Sequence, residues 1–231
     1  VFASRSRTLT EQAMLGRGET EFFSGGRAPV VVAFHGFGGT VAEIRPALDV
    51  VARAGFAVDA ALLPGHGARV EALQDLTFGD WLAAARDRTR AAVALHGHAV
   101  LLGFSLGSLL ALELASEDMA GVEGAVVLGN ALTLAAHTSV PLGIADRLGI
   151  PMPDAYLVKP RSGDLVDPAA MGDLLSYDRH PLRSSLEVYR AGPRVKRVVG
   201  RIACPALVLH GRRDHVCPWH NAIWLADRLR E

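Results

Sequence analysis

The amino-acid sequence predicts an α/β fold, a mostly parallel sheet flanked by helices, and three observations carry the prediction. Short apolar runs alternate with segments of helical period through the first 131 residues. Two of those runs end in glycine-rich turns, Gly36-Phe37-Gly38-Gly39 and Gly103-Phe104-Ser105-Leu106-Gly107. Half of the 231 residues are apolar and only 6% are aromatic, which suits one sizeable core of alanine-rich helices packed on a sheet.

Glu19 to Ser24 reads as an early strand, and the continuous apolar run Val30 to Phe34 as the first central one. Ile44, Ala47, Leu48 and Val51 share one face of a helix that Gly55 can terminate. Phe56 to Leu63 is the next strand, closed by the turn Pro64-Gly65-His66-Gly67, in which His66 shapes the loop. Thr77 and Asp80 have the spacing of a helix-start capping pair, and Phe78, Leu82, Ala85, Thr89 and Val93 continue one helical face. Ala99 to Leu102 and Ala125 to Leu128 are short buried strands, with a leucine-rich helix from Leu106 to Ala115 between them.

The alternation breaks between about Leu132 and Arg201, where Pro141, Gly149, Pro151, Pro153, Pro160, Gly163 and Pro168 cluster. Met171, Leu174, Leu175, Leu182, Leu186 and Tyr189 point to short helices within this stretch. The chain therefore divides into a core part at 1–131, an insertion at 132–201 and a second core part at 202–231. A long irregular loop without function is the plainer reading of the insertion, although such loops are uncommon inside a compact domain. Ala206 to His210 is the last strand, and Trp219 to Arg230 has the apolar spacing of one more helix.

Ser105 sits where a strand turns sharply into a helix, the shape of a nucleophile elbow. Such a turn forces strained backbone angles on the serine, and the glycines on either side leave room for helix and strand to approach. The hydroxyl then stands at a helix N-terminus, where backbone N–H groups stabilise negative charge. Glycine-flanked turns also occur without chemistry. Acyl transfer further needs two backbone donors aimed at the oxygen that becomes an oxyanion. The N–H groups of Phe37 and Leu106 are the natural pair, although the glycines at 36–39 would serve a tight loop equally well. His35 is expected to shape that loop through a ring hydrogen bond. Asp214, in the polar turn after the last strand, is the candidate acid, whose task is to orient an imidazole. A loop or helix-capping aspartate is the commoner role for this residue type.

With these segments in place the chain resembles the α/β-hydrolase superfamily, in particular small microbial carboxylesterases and monoacylglycerol lipases. HGFGG at 35–39, LPGHG at 63–67, GFSLG at 103–107 and HGRRDHVCP at 210–218 carry the resemblance and come in the family order. It implies Ser105 as nucleophile, Phe37 and Leu106 as oxyanion-hole donors, Asp214 as triad acid, and the insertion as a small cap lining the site for an acyl chain. The implied reaction is two-step hydrolysis of a short- or medium-chain ester or a monoacylglycerol, with neither metal nor organic cofactor. Thioesterases, amidases and carbon–carbon bond hydrolases share the scaffold. A hydrolase-like receptor that has lost catalysis would keep the capped pocket and bind without turnover.

The family order of serine, acid and then histidine on a loop after one more strand is not completed within these residues. His35, His66, His96, His98, His137 and His180 precede Asp214, while His210, His215 and His220 lie within a few residues of it. The expectation is that a terminal strand and helix, with the triad histidine, are missing from the sequence, and that both ends are clipped. A cut portion of a longer enzyme is favoured over a degenerate one, because elbow, oxyanion loop and acid are all in good form.

Charges balance at 24 basic against 24 acidic residues, so electrostatics gives no case for nucleic acid or an anionic membrane as partner. No apolar run approaches the ~20 residues that span a bilayer, and no leader is visible, so stable membrane insertion is not expected. The expected partner is a small-molecule ester; oligomeric state is not legible. Cys204 and Cys217 flank the last strand at opposite edges of the sheet, too far apart for a disulfide, so free thiols and a cytoplasmic location are expected, with secretion still open.

Overall fold

The computed structural model describes residues 21–158 and 175–229. Glu19, Thr20, Pro160, Gly163, Pro168, Met171, Leu174 and Arg230, each given a role in the sequence reading, lie outside the described residues. The strands are β1 (Phe22–Ser24), β2 (Arg27–Phe34), β3 (Phe56–Ala60), β4 (Ala99–Phe104), β5 (Val122–Leu128), β6 (Tyr156–Val158), β7 (Arg179–Pro181) and β8 (Ala206–Leu209). Six of them form one sheet in the order β1-β3-β2-β4-β5-β8, parallel throughout except for β1, which runs antiparallel beside β3. The parallel register explains why β2 is a continuous apolar run. Val31 pairs with Val58 on one side and Val100 on the other, and Val30 to Phe34 are all buried.

β3 stops at Ala60, short of the expected Leu63, for a local reason. The Leu63 N–H is taken by the His35 ring at 3.0 Å, so the chain has already left the ladder.

The helices are α1 (Arg45–Arg53), α2 (Phe78–His96), α3 (Leu106–Ala115), α4 (Ala136–Arg147), α5 (Leu182–Lys196) and α6 (His220–Arg228). The expected capping pair is present at the start of α2: Thr77 N–H donates to Asp80 Oδ2 at 2.8 Å, and Asp80 N–H to Thr77 Oγ1 at 3.2 Å. Every residue of α3 is buried, which is why it carries leucine and alanine all round rather than on one stripe. One sheet face meets α2, α3 and α5 through Trp81, Leu82, Leu109, Val188 and Val195. The opposite face meets α1 through Leu48. Towards the β8 edge Leu207 and Leu209 stand half exposed.

The 132–201 stretch is of two kinds. α4 and the antiparallel β6–β7 ribbon stand apart from the sheet. Leu182, Leu186 and Tyr189, read as parts of short helices, belong to the 15-residue α5, whose later turns join the core. A Cβ at Gly192 would lie 2.5 Å from the Leu132 carbonyl oxygen, so a glycine is what lets α5 pack this closely. Arg194 completes the contact, its Nε and Nη2 donating to the nearly buried Glu113 carboxylate on α3 at 3.0 and 2.9 Å. Cys204 and Cys217 are both free thiols. No helix among the described residues is long and apolar enough to cross a membrane.

Candidate active site

Ser105 joins β4 to α3 with φ +53° and ψ −113°, a region that costs a non-glycine residue roughly 1–3 kcal/mol. Neighbouring groups hold it there. Its N–H donates to Leu128 O at 3.1 Å, and its carbonyl accepts from Ser108 N–H at 3.0 Å and from Ser108 Oγ at 2.5 Å. The flanking glycines are required by close approach rather than by conformation. A Cβ at Gly107 would lie 2.8 Å from the His35 carbonyl oxygen and closer still to that of Phe34, and one at Gly103 would meet Ser108 N at 2.6 Å. The first turn of α3 therefore presses on the ends of both β4 and β2.

That contact brings the 35–39 loop to the serine. Phe34 pairs with Gly103 across the ladder, so the loop and the Ser105 turn leave the sheet side by side. His35 is fully buried; Nδ1 donates to Gly36 O at 2.9 Å and Nε2 accepts from Leu63 N–H at 3.0 Å. Burial, against the pull of the Gly36 carbonyl, lowers its pKa from 6.5 to about 4. It is a neutral structural ring, as its expected loop-shaping task requires. His66 packs edge-on against it at 4.8 Å and faces the Pro64 carbonyl through Nδ1 at 3.0 Å. Phe37 extends from the loop onto Trp81 and His180, with ring centroids 5.6 and 4.5 Å away. Leu106, the other predicted donor, is fully buried as the first residue of α3.

Asp214 follows β8, and β8 pairs with β5 through Leu209 and Leu128. A Cβ on Gly129 would lie 3.6 Å from Asp214 Oδ2, so Ser105 and Asp214 stand on either side of the Leu128–Gly129 step. Asp214 Oδ1 accepts from the N–H groups of Val216 at 2.9 Å and Cys217 at 2.7 Å. Its Oδ2 lies 3.3 Å from Nε2 of His210, whose side chain is 2% exposed. Burial opposes the carboxylate charge, but the His210 contact and the two N–H groups outweigh it and hold the pKa below the ordinary value. The same hydrogen bond raises His210, against the opposing effect of burial. His210 Nε2 also faces Cys217 O at 2.8 Å, and its Nδ1 faces the Asn130 side chain at 3.5 Å. Both ring nitrogens are thus engaged away from Ser105. Among the described residues no hydrogen bond joins a histidine to Ser105, and no group of His, Cys, Asp and Glu is arranged to hold a metal ion.

Sequence reading missed Tyr177, His180 and Asn130. Nothing local marks them, since their partners lie tens of residues away in the chain.

A family model described as serine aminopeptidase, S33, matches residues 26–231. The chain belongs to this family of α/β hydrolases. It is 30% identical over 216 residues to a thermostable monoacylglycerol lipase of Bacillus sp. (strain H-257), spanning 93% of this chain and 82% of that protein. Among solved structures, a lipolytic enzyme of the metagenome-derived LipS and LipT pair aligns with a TM-score of 0.79 at 24% identity, covering 92% of this chain and 84% of that one. A monoacylglycerol lipase from Paleococcus ferrophilus aligns at 0.74 and 24% identity, covering 91% and 84%. The two structural likenesses establish the α/β-hydrolase fold. As a member of this family the protein is an α/β hydrolase, and the curated relative it resembles is a lipase.

Proposed function

We propose that the protein is a serine hydrolase of carboxylic esters, cleaving monoacylglycerols or short- to medium-chain esters through an acyl-enzyme. The observation that carries this reading is the strained backbone of Ser105 at the β4–α3 turn, beside a glycine-rich loop whose N–H groups are free of regular ladder pairing. The similarity to the Bacillus lipase supports the choice of a glycerol ester.

In the proposed mechanism Ser105 Oγ attacks the ester carbonyl while a histidine base takes its proton. The N–H groups of Phe37 and Leu106 hold the oxyanion, and each such donor is worth about 10²–10³ in rate. The C–O bond then breaks, the imidazolium returns the proton to the departing alcohol, and water attacks the acyl-enzyme by the same route to release the acid. Asp214 orients the base through Oδ2, the oxygen not saturated by backbone N–H groups. None of the nine histidines is assigned the part of the base. No step calls on a metal or organic cofactor. The outer part of the insertion, α4 and the β6–β7 ribbon, serves as the cap over the site. The free thiols of Cys204 and Cys217 are in keeping with a reducing, cytoplasmic setting.

Ser105→Ala tests the reading on a panel of monoacylglycerols, p-nitrophenyl esters, thioesters and aminoacyl anilides. The expected result is preference for the esters in the wild type and a loss on the order of 10⁶ in kcat in the variant. Preference for the anilides would move the assignment to an amidase, and retained ester turnover in the variant would remove Ser105 from the mechanism.

A further inference from the structure

One short segment of the insertion is fastened directly onto the 35–39 loop. Tyr177 is 1% exposed, and its backbone N–H donates to Gly38 O at 2.7 Å. Its hydroxyl donates to Gly65 O at 3.2 Å and accepts from Ala68 N–H at 3.1 Å. Three residues on, the His180 ring lies 4.5 Å from that of Phe37 and covers Gly38 so closely that a Cβ there would come within 2.6 Å of His180 Cδ2. Gly38 has φ +74°, and the turn containing it is closed internally by a 3.2 Å bond from Gly39 N–H to Gly36 O. A loop with glycine at 36, 38 and 39 has many peptide orientations open to it, and only some aim the Phe37 N–H at the neighbouring serine. The Tyr177 bond fixes the Gly38 carbonyl, and the His180 contact fixes the Phe37 ring. Together they hold the donor residue from both sides.

We infer that Tyr177 and His180 position the Phe37 N–H for oxyanion binding, so that seating of the insertion and assembly of the oxyanion hole are one event. The inference rests on the reading of Phe37 as an oxyanion donor. Neither residue touches the reacting atoms. A displacement of about 1 Å at such a donor is enough to cost about 10²-fold in rate. The effect belongs in kcat, because the donor's bond strengthens as the oxyanion forms.

The test compares His180→Ala, His180→Phe and Tyr177→Phe with the wild type. It measures kcat, KM and the Ki of an alkyl trifluoromethyl ketone, whose adduct with the serine places an oxyanion in the hole. Fluorophosphonate titration counts competent sites, so a poorly folded fraction is not mistaken for slow turnover. His180→Ala should lower kcat about 10- to 100-fold, raise the ketone Ki by a similar factor and leave KM within about twofold. His180→Phe, which keeps a ring on Phe37, should recover most of the loss. Tyr177→Phe keeps the backbone bond to Gly38 and should show a smaller loss of the same kind. Unchanged kcat and Ki in His180→Ala, or a rise in KM alone, would overturn the inference. If Ser105→Ala is inactive while the His180 variants behave as wild type, only the positioning role falls. If Ser105→Ala retains turnover, the ester-hydrolase reading falls instead.

Discussion

His35 commits both ring nitrogens to backbone groups inside the protein, and there it remains neutral down to a pKa of about 4, against 6.5 for an exposed imidazole. In the unfolded chain it protonates near 6.5, so between the two values the unfolded state binds more protons. Stability contributed by the neutral ring is complete above about 6.5 and is lost as the pH falls towards 4. At 1.36 kcal/mol per unit, the loss is roughly 3 kcal/mol. Urea denaturation at pH 7, 5.5 and 4.5 should show this decline, and His35→Gln, less stable at pH 7, should show a flatter profile over that range. An identical slope in wild type and variant would mean that another group controls acid stability. The Asp214–His210 contact works differently. The carboxylate is held charged by Val216 and Cys217 as well as by the imidazole, so part of its stabilisation survives deprotonation of His210.

At the scale of elements, the β4–turn–α3 unit is the feature on which the rest of the site depends. Its geometry follows from two glycines without room for a methyl group. At Gly107 an added Cβ meets the carbonyl oxygens of Phe34 and His35, which are backbone atoms and cannot rotate away as a side chain would. Gly107→Ala must therefore push α3 outward from β2 and β4. The expected cost is about 1–3 kcal/mol in unfolding free energy by chemical denaturation. Because α3 carries Leu106, esterase activity per folded molecule should also fall. A variant with wild-type stability and activity would show that the contact is looser than the geometry requires. The neighbouring α2 and α5 brace this unit from the same sheet face, through Trp81 and Val195 in the shared core.

At the scale of the whole molecule, the sheet and the helices α1, α2 and α3 were legible because their signals are local. Val30 to Phe34 and Ala99 to Leu102 are short continuous apolar runs of the kind a buried parallel strand carries, and Thr77 with Asp80 announces a helix start within four residues. The insertion was harder to read. Pro141 and Pro193 lie inside α4 and α5, where proline ordinarily argues against helix. Tertiary packing overrides that preference in α5, where Val188, Ala191 and Val195 are buried against the core. The strap from Tyr177 to Gly38, Gly65 and Ala68 was not legible at all. It joins residues 109, 112 and 139 apart in the chain by single hydrogen bonds, with no periodicity to signal them. Ser105, Phe37, Leu106 and Asp214 could be chosen as candidates from sequence because each lies just beyond the carboxyl end of a strand, and the parallel order β2-β4-β5-β8 gathers those ends along one edge. In the proposed function this gathering makes Ser105 a nucleophile. Reaction of the protein with a fluorophosphonate, followed by intact mass and peptide mapping, tests that role. A single adduct on Ser105, absent in Ser105→Ala, is the predicted result; no adduct, or one on another residue, would contradict it.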